Sequence, residues 1–232
     1  MIQKTKADYL KEHKSWGNIK IINIPEKDAR LAELVGILLG DGNIYFCSKS
    51  KRICSYSVRI AGDFEKDRDY HLNYIAPLCN DLFKINVRIR NHTVNNERFV
   101  CLESRLLIDF LISIGLKAGD KIKNKVGIPN WIFENTEFLK ACLRGLIDTD
   151  GSVYRMSKRD KNLIRMDFTN YNRTLLDDTR AAFIRLGFNP SKIICNNKFF
   201  ISRQDDIARY IREIGFSNNK HIERLKLFSP VV

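Results

Sequence analysis

The stretch from Pro25 to Gly42 reads PEKDARLAELVGILLGDG, a polar start followed by a dense apolar run that closes on Asp41-Gly42. Pro25 with the acidic Glu26 and Asp28 behind it marks a helix start. The next pattern has period two: Tyr56, Val58 and Ile60 alternate with Ser57, Arg59 and Ala61. Such alternation buries one face of a strand and wets the other. A helical pattern then runs from Glu65 to Phe83, and in a further strand Ile85, Val87 and Ile89 oppose Asn86, Arg88 and Arg90. A helix around Leu106–Ile114 closes this half. The same order returns downstream. A helix leads into Asp150-Gly151, and Ile164, Met166 and Phe168 alternate with Arg165, Asp167 and Thr169. A helix over about Arg173 to Leu186, another strand pair and a last helix around Asp205–Ile214 follow. The patterning predicts an α+β protein of two α-β-β-α-β-β-α units.

The two halves also align residue by residue, as a duplication requires. Leu34-Val35-Gly36-Ile37-Leu38-Leu39-Gly40-Asp41-Gly42 matches Leu143-Arg144-Gly145-Leu146-Ile147-Asp148-Thr149-Asp150-Gly151 without gaps at an offset of 109. Ser104-Arg105 recurs as Ser202-Arg203 at an offset of 98, and Ile114-Gly115-Leu116 as Ile214-Gly215-Phe216 at 100. Residues 25–120 form the first unit and 136–232 the second. Residues 1–24 are an N-terminal extension. The intervening 121–135, with Lys121, Lys123 and Lys125, reads as a basic linker.

Charge narrows the class of partner. Forty Lys and Arg against 27 Asp and Glu leave the 232-residue chain at +13, which favours a polyanion, nucleic acid first. A membrane is disfavoured: the apolar run Leu34–Gly40 is far shorter than the roughly 20 residues a spanning helix needs. The N-terminal MIQKTKADYLKEHKSW lacks the apolar core of a signal peptide. Six cysteines and four scattered histidines show no CxxC pairing, which argues against a zinc ribbon or disulfide framework and fits a reducing intracellular compartment. The expected location is the cytoplasm or nucleoid, or an organellar matrix.

On the first Asp-Gly helix Ala32, Gly36 and Gly40 form a stripe of small residues, and Ala141, Gly145 and Thr149 repeat it on the second. Small residues every fourth position let two helix backbones approach closely, here about a pseudo-twofold axis. Gly42 and Gly151 are expected in the left-handed conformation that ends a helix. Asp41 and Asp150 then lie at adjoining helix C-termini, where each carboxylate is disfavoured by about 0.3–1 kcal/mol and repels the other. A divalent cation removes both penalties. Oxygen ligands with open positions suit Mg²⁺, and such a pair suits metal-assisted phosphodiester hydrolysis. A lone helix-end Asp-Gly is usually a turn; two on duplicated stripes in a basic chain are not.

LVGILLGDG and LRGLIDTDG resemble the paired motifs of the LAGLIDADG homing endonucleases, the second closely, and Ile128-Pro129-Asn130-Trp131-Ile132 resembles the segment that precedes the second motif in archaeal members. The resemblance covers nearly the whole chain. It implies two pseudo-symmetric units with saddle-shaped antiparallel sheets, acting as a monomer without a protein partner. It further implies a site-specific double-strand DNA endonuclease that cuts across the minor groove and leaves short 3′ overhangs. Asp41 and Asp150 would bind the catalytic metal, Mg²⁺ as two or three ions with Mn²⁺ or Ca²⁺ as substitutes, assisted by the backbone carbonyls of Gly40 and Thr149. Arg105 and Arg203 fall where the family keeps a basic residue beside the active site, and Asp63 and Asn170 match positions that order water. The internal acid of the motif is Asp148 in the second copy but Leu39 in the first; that position is not the metal ligand in the family.

The wet strand faces and their loops supply candidate DNA contacts. These are Lys49, Lys51, Arg52, Arg59, Arg88 and Arg90 in the first half, and Arg155, Lys158, Arg159, Lys161 and Arg165 in the second. A strand-borne Arg can read guanine, whereas loop lysines hold phosphates. Two domains of about 100 residues, each roughly 34 Å across, span about 20 base pairs, and their unequal sequences imply an asymmetric target. An RNA-binding intron maturase is the alternative, since the same fold supports it. The chain starts at Met1 and ends Ser229-Pro230-Val231-Val232 without the splice-junction residues of an intein, so a free-standing, intron-encoded enzyme is expected.

Overall fold

The computed structural model describes residues 21–46, 56–156 and 163–228. The first half begins with α1 (Ala29–Gly40), started by Asp28, whose side chain accepts a hydrogen bond from the Leu31 amide at 2.8 Å. Strands β1 (Gly42–Phe46) and β2 (Tyr56–Asp63) follow, then a π-helical turn (Tyr70–Ile75) that runs into α2 (Ala76–Phe83). Lys84, at φ 51°, ends that helix in the left-handed region. The half closes with β3 (Arg88–His92), β4 (Glu97–Leu102) and α3 (Arg105–Ser113), the last capped by the Ser104 hydroxyl.

The second half holds α4 (Asn130–Phe133), α5 (Thr136–Asp150), β5 (Gly151–Arg155), β6 (Ile164–Thr169), α6 (Arg173–Arg185), β7 (Lys198–Ile201), α7 (Gln204–Glu213) and α8 (Asn219–Phe228). Two features depart from the patterning. The strand expected before β7 is reduced to one bridge, Ile194 to Lys198, so this sheet has three strands in the order β5-β6-β7. In its place the chain turns tightly through Cys195 and Asn196, both at positive φ. Helix α8 was not signalled by any duplicated counterpart. The first sheet has the order β1-β2-β4-β3, with all pairings antiparallel.

Registers assign the faces. Ile44, Val58, Ile60, Val100 and Leu102 point inward and are buried, as are Val153, Met166, Phe168, Phe199 and Ile201. Helices α1 and α5 pack side by side, α1 meeting β1 of its own lobe and α5 meeting β5 and β6 of its own. Every residue from Leu31 to Leu39 is buried. The helices meet on the duplicated small-residue stripes: a methyl at Gly36 would run into the Cys142 carbonyl, and one at Gly145 into the Glu33 carbonyl. Only glycine permits that approach, and it brings the two helix C-termini together. Gly42 and Gly151 serve differently from the expectation. Gly151 is extended (φ −89°, ψ 161°), and neither has a positive φ. A Cβ at Gly42 would lie 2.5 Å from the Leu38 backbone, and one at Gly151 would strike the Ile147 carbonyl. The chain leaves each helix by folding back over its last turn, which leaves no room for a side chain.

Candidate active site

Asp41 caps the end of α1. Its amide donates to the Ile37 carbonyl at 3.0 Å, and its own carbonyl accepts from the Ala61 amide of β2 at 3.1 Å. Helix and sheet therefore fix the residue from two sides. Burial pushes its carboxyl up to about 7, with the negative charges of Asp150 and Asp67 adding to the effect and Lys220 and Lys121 opposing it. Asp150 ends α5 and is likewise raised by burial, opposed by a hydrogen bond from Asn170 and by the same two lysines. Asn170 Nδ2 donates to Asp150 Oδ2 at 2.7 Å. The two acids share one electrostatic environment at the seam.

Lys121 is held at the end of α1. Its Nζ donates to the Leu39 carbonyl at 2.8 Å and to the Gly40 carbonyl, groups that a helix C-terminus leaves without intrahelical partners. Asn172 fixes that stretch of chain, donating to the Lys121 carbonyl at 3.2 Å and to the Val126 carbonyl at 2.6 Å. Lys220 arrives from the second half, and its Nζ lies 3.0 Å from Asp67 Oδ1 of the first. Alongside is a cavity of about 350 Å³, lined by Gly40, Lys121, Asp150, Asn170 and Tyr171 among others.

The remaining sequence candidates are placed as follows. The Gly40 carbonyl carries the Lys121 ammonium, and the Thr149 hydroxyl turns back to the Gly145 and Leu146 carbonyls, both at 3.0 Å. Arg105 is held by partners within its own lobe. Its guanidinium is taken by Asp109 at 2.8 and 3.0 Å and by the Tyr56 hydroxyl at 3.1 Å, and lies over the Phe46 and Tyr56 rings. Arg203 is exposed at the start of α7. Among the described residues, lysines whose charges act on the pair are Lys121, which the sequence places in a linker, and Lys220, which no sequence motif marks. They are 99 residues apart, in step with the 98 and 100 of the Ser-Arg and Ile-Gly repeats, and that spacing was the available signal. Asp63 is a turn residue, accepting from the Glu65 and Lys66 amides and from Asn96. Strand register explains the mismatch with Asn170. Gly42 pairs with Ile60 and Gly151 with Phe168, so the counterpart of Asn170 is Gly62, two residues beyond Ile60. A side chain at Gly62 would meet the His71 ring, so Asp41 lacks the amide that Asp150 has.

The outward sheet faces are built in cross-strand rows. Asn43, Arg59, Cys101 and Arg88 are consecutive partners across four strands, with Arg90 opposite Phe99 in the next row. Glu103 joins Arg88 at 3.1 Å and Arg90 at 2.8 Å, and Arg59 is exposed. In the second half Arg165 lies over the Phe200 ring at 4.1 Å. Arg155 falls on the opposite face from Arg165's, and its Nη2 donates to the Leu227 carbonyl of α8 at 2.7 Å. It braces that helix instead of joining the open face. Lys49, Lys51, Arg52, Lys158, Arg159 and Lys161 lie outside the described residues. Among the described residues, no helix is long and apolar enough to cross a membrane.

The molecule is two small lobes joined by paired Asp-tipped helices, each lobe carrying an antiparallel sheet, and it is similar to known proteins. Residues 137–215 match the family model of the LAGLIDADG-like domain, and the fold is similar to that of solved homing endonucleases. The homing endonuclease I-DmoI, in complex with DNA and Mn, superimposes at a TM-score of 0.59 with 19% identity, over 81% of this chain and 96% of that one. The meganuclease I-SmaMI bound to uncleaveable DNA gives 0.56 with 11% identity, over 88% of each. In sequence, the replication factor C small subunit of Methanocaldococcus jannaschii is 25% identical over 97% of this chain. The chain spans about one-eighth (12%) of the length of that relative.

Proposed function

We propose that the protein is a site-specific, metal-dependent endonuclease acting as a monomer on double-stranded DNA, at an asymmetric site of roughly 20 base pairs. The observation that carries this is the buried Asp41–Asp150 pair at the seam of the two lobes, flanked by Lys121 and Lys220. Similarity to I-DmoI complexes containing DNA with Mn or Ca supports the choice of substrate and of a divalent ion.

The donor set fits a hard divalent cation. Two carboxylates, each opposed in its ionisation by burial, and one of them also by its partner's charge, are oxygen ligands that such an ion relieves. Asp41 and Asp150 would hold it. When bound, the ion supplies Lewis-acid stabilisation of charge on the phosphate and leaving oxygens. The chain's own groups do the rest. Lys121 and Lys220 place two positive charges where the phosphate gains negative charge as a water oxygen adds to phosphorus and the bond to the 3′ oxygen breaks. Asn170 fixes the orientation of the Asp150 carboxylate. The exposed strand faces, with Arg59, Arg88, Arg90 and Arg165, lie along the duplex grooves, while phosphate contacts from the basic surface set register.

The test is selection of a cleavable target from a randomised DNA library in Mg²⁺, followed by Asp41→Asn and Asp150→Asn. Each variant is expected to bind the selected site with wild-type affinity in Ca²⁺ and to lose double-strand cleavage by at least about three orders of magnitude. Normal cutting by either variant would falsify the assignment.

A further inference from the structure

The segment that delivers Lys220 belongs to the second lobe, yet most of what holds it comes from the first. Ser217 Oγ donates to Glu33 Oε1 at 2.7 Å, Asn218 Nδ2 to Asp67 Oδ1 at 3.0 Å, Asn219 Nδ2 to Asp69 Oδ2 at 2.5 Å, and Lys220 Nζ to Asp67 Oδ1 at 3.0 Å. Asp67 is the hub. It is 8% exposed, and its second oxygen accepts from the Asp63 amide at 3.0 Å, which locks the carboxylate to the end of β2. The other lobe mirrors this: Asn172, after β6, holds the chain at Lys121. In each case the segment that carries the lysine is held by the loop after a second strand, through the backbone at Lys121 and through the side chain at Lys220. Buried Glu33 and half-buried Arg144, Tyr74 and Ser217 add a network across the same seam.

We infer that Asp67 is a positioning residue, which sets Lys220 of the opposite lobe over the Asp41–Asp150 pair so that the cutting centre is complete only when the two lobes are docked. In this role Asp67 acts through the lysine it holds, and its own negative charge adds to the field at Asp41. An ordinary buried ion pair would fix the tail without any link to the chemistry, and the two differ in what a double variant does. The inference rests on the nuclease reading above.

The experiment compares Asp67→Asn, Lys220→Met and the double variant in single-turnover cleavage of the selected target, with affinity measured in Ca²⁺. Asp67→Asn is expected to slow cleavage at least tenfold while leaving affinity within twofold, and the double variant to be no slower than Lys220→Met alone. Multiplying effects, or a wild-type rate for Asp67→Asn, overturn the inference. Should Asp67→Asn not fold, Asp67→Glu keeps the charge one methylene further out. Slower cleavage at unchanged affinity supports positioning, and a wild-type rate overturns it. Acetic anhydride labelling read by mass spectrometry needs neither DNA nor metal: Lys220, partly covered by Asp67 in the wild type, becomes more reactive in either Asp67 variant. Unchanged reactivity also overturns the inference. A wild-type protein that selects no cleavable DNA removes the nuclease proposal, while the labelling still tests the placement.

Discussion

Lys121 sits against the carbonyls of Leu39 and Gly40 with Asp41 and Asp150 acting on it, so its positive charge neutralises both a helix C-terminus and an acid pair. Replacing it with Met leaves those carbonyls and carboxylates without their cation. Single-turnover cleavage by Lys121→Met is expected to fall by about two orders of magnitude, the scale for losing one preorganised charge, with DNA affinity changed less than tenfold. Equal losses in rate and affinity would instead make Lys121 a simple phosphate contact. His71 and His221 carry a different consequence. Burial holds both rings neutral, with pKa pushed down to about 4, although Asp67 acts in the other direction on each. Arg98 and Lys220 add to the depression at His71, and Lys220 and Arg224 at His221. The unfolded chain titrates near 6.5, so between about 6.5 and 4 it binds more protons than the folded protein does. Stability then rises with pH across that window and is lost on acidification, by at most on the order of 3 kcal/mol per ring. His221→Leu should flatten the thermal midpoint against pH between 4 and 6.5. An unchanged slope refutes a neutral buried ring.

At the scale of elements, the α1–α5 pair decides the site. Its stripes were legible because small residues every fourth position have one geometric use, and the Cβ clashes at Gly36 and Gly145 show that use directly. Gly36→Ala or Gly145→Ala must push one helix off a facing carbonyl. A loss of about 2–3 kcal/mol is expected, read as a fall in thermal midpoint of roughly 5–10 °C for a chain of this size. Cleavage should fall further than stability, since the acids separate as the helices do; a stability loss with normal cleavage contradicts that coupling. Strand alternation was equally legible in β2 and β6. The missing partner of β7 was not, because the tight turn through Cys195 and Asn196 replaces a ladder that local pattern alone cannot veto. Asp63 and Asn170 were matched through the family resemblance, whereas cross-strand register makes Gly62 the counterpart of Asn170. Register is a property of two strands together.

For the molecule as a whole, the net charge of +13 spread over two lobes predicts binding dominated by phosphate contacts. Affinity for the selected duplex should drop by about 10³–10⁵ between 50 and 200 mM salt if six to ten phosphates are neutralised; a shallow dependence argues against an extended DNA interface. What the amino-acid order determined alone was periodic and local: the duplicated halves, the alternation of helices and strands, the glycine stripes and the two acids that end on them. Those follow from spacing, which a chain carries before it folds. The tertiary structure decided which cations meet the acids. Arg105 is drawn off by Asp109 and two aromatic rings, while Lys121 and Lys220 reach the seam because the opposite lobe clasps the segments that carry them. Long flexible side chains have no periodicity to betray their destination; it is fixed by partners from the other half of the molecule, brought close only when the two halves dock.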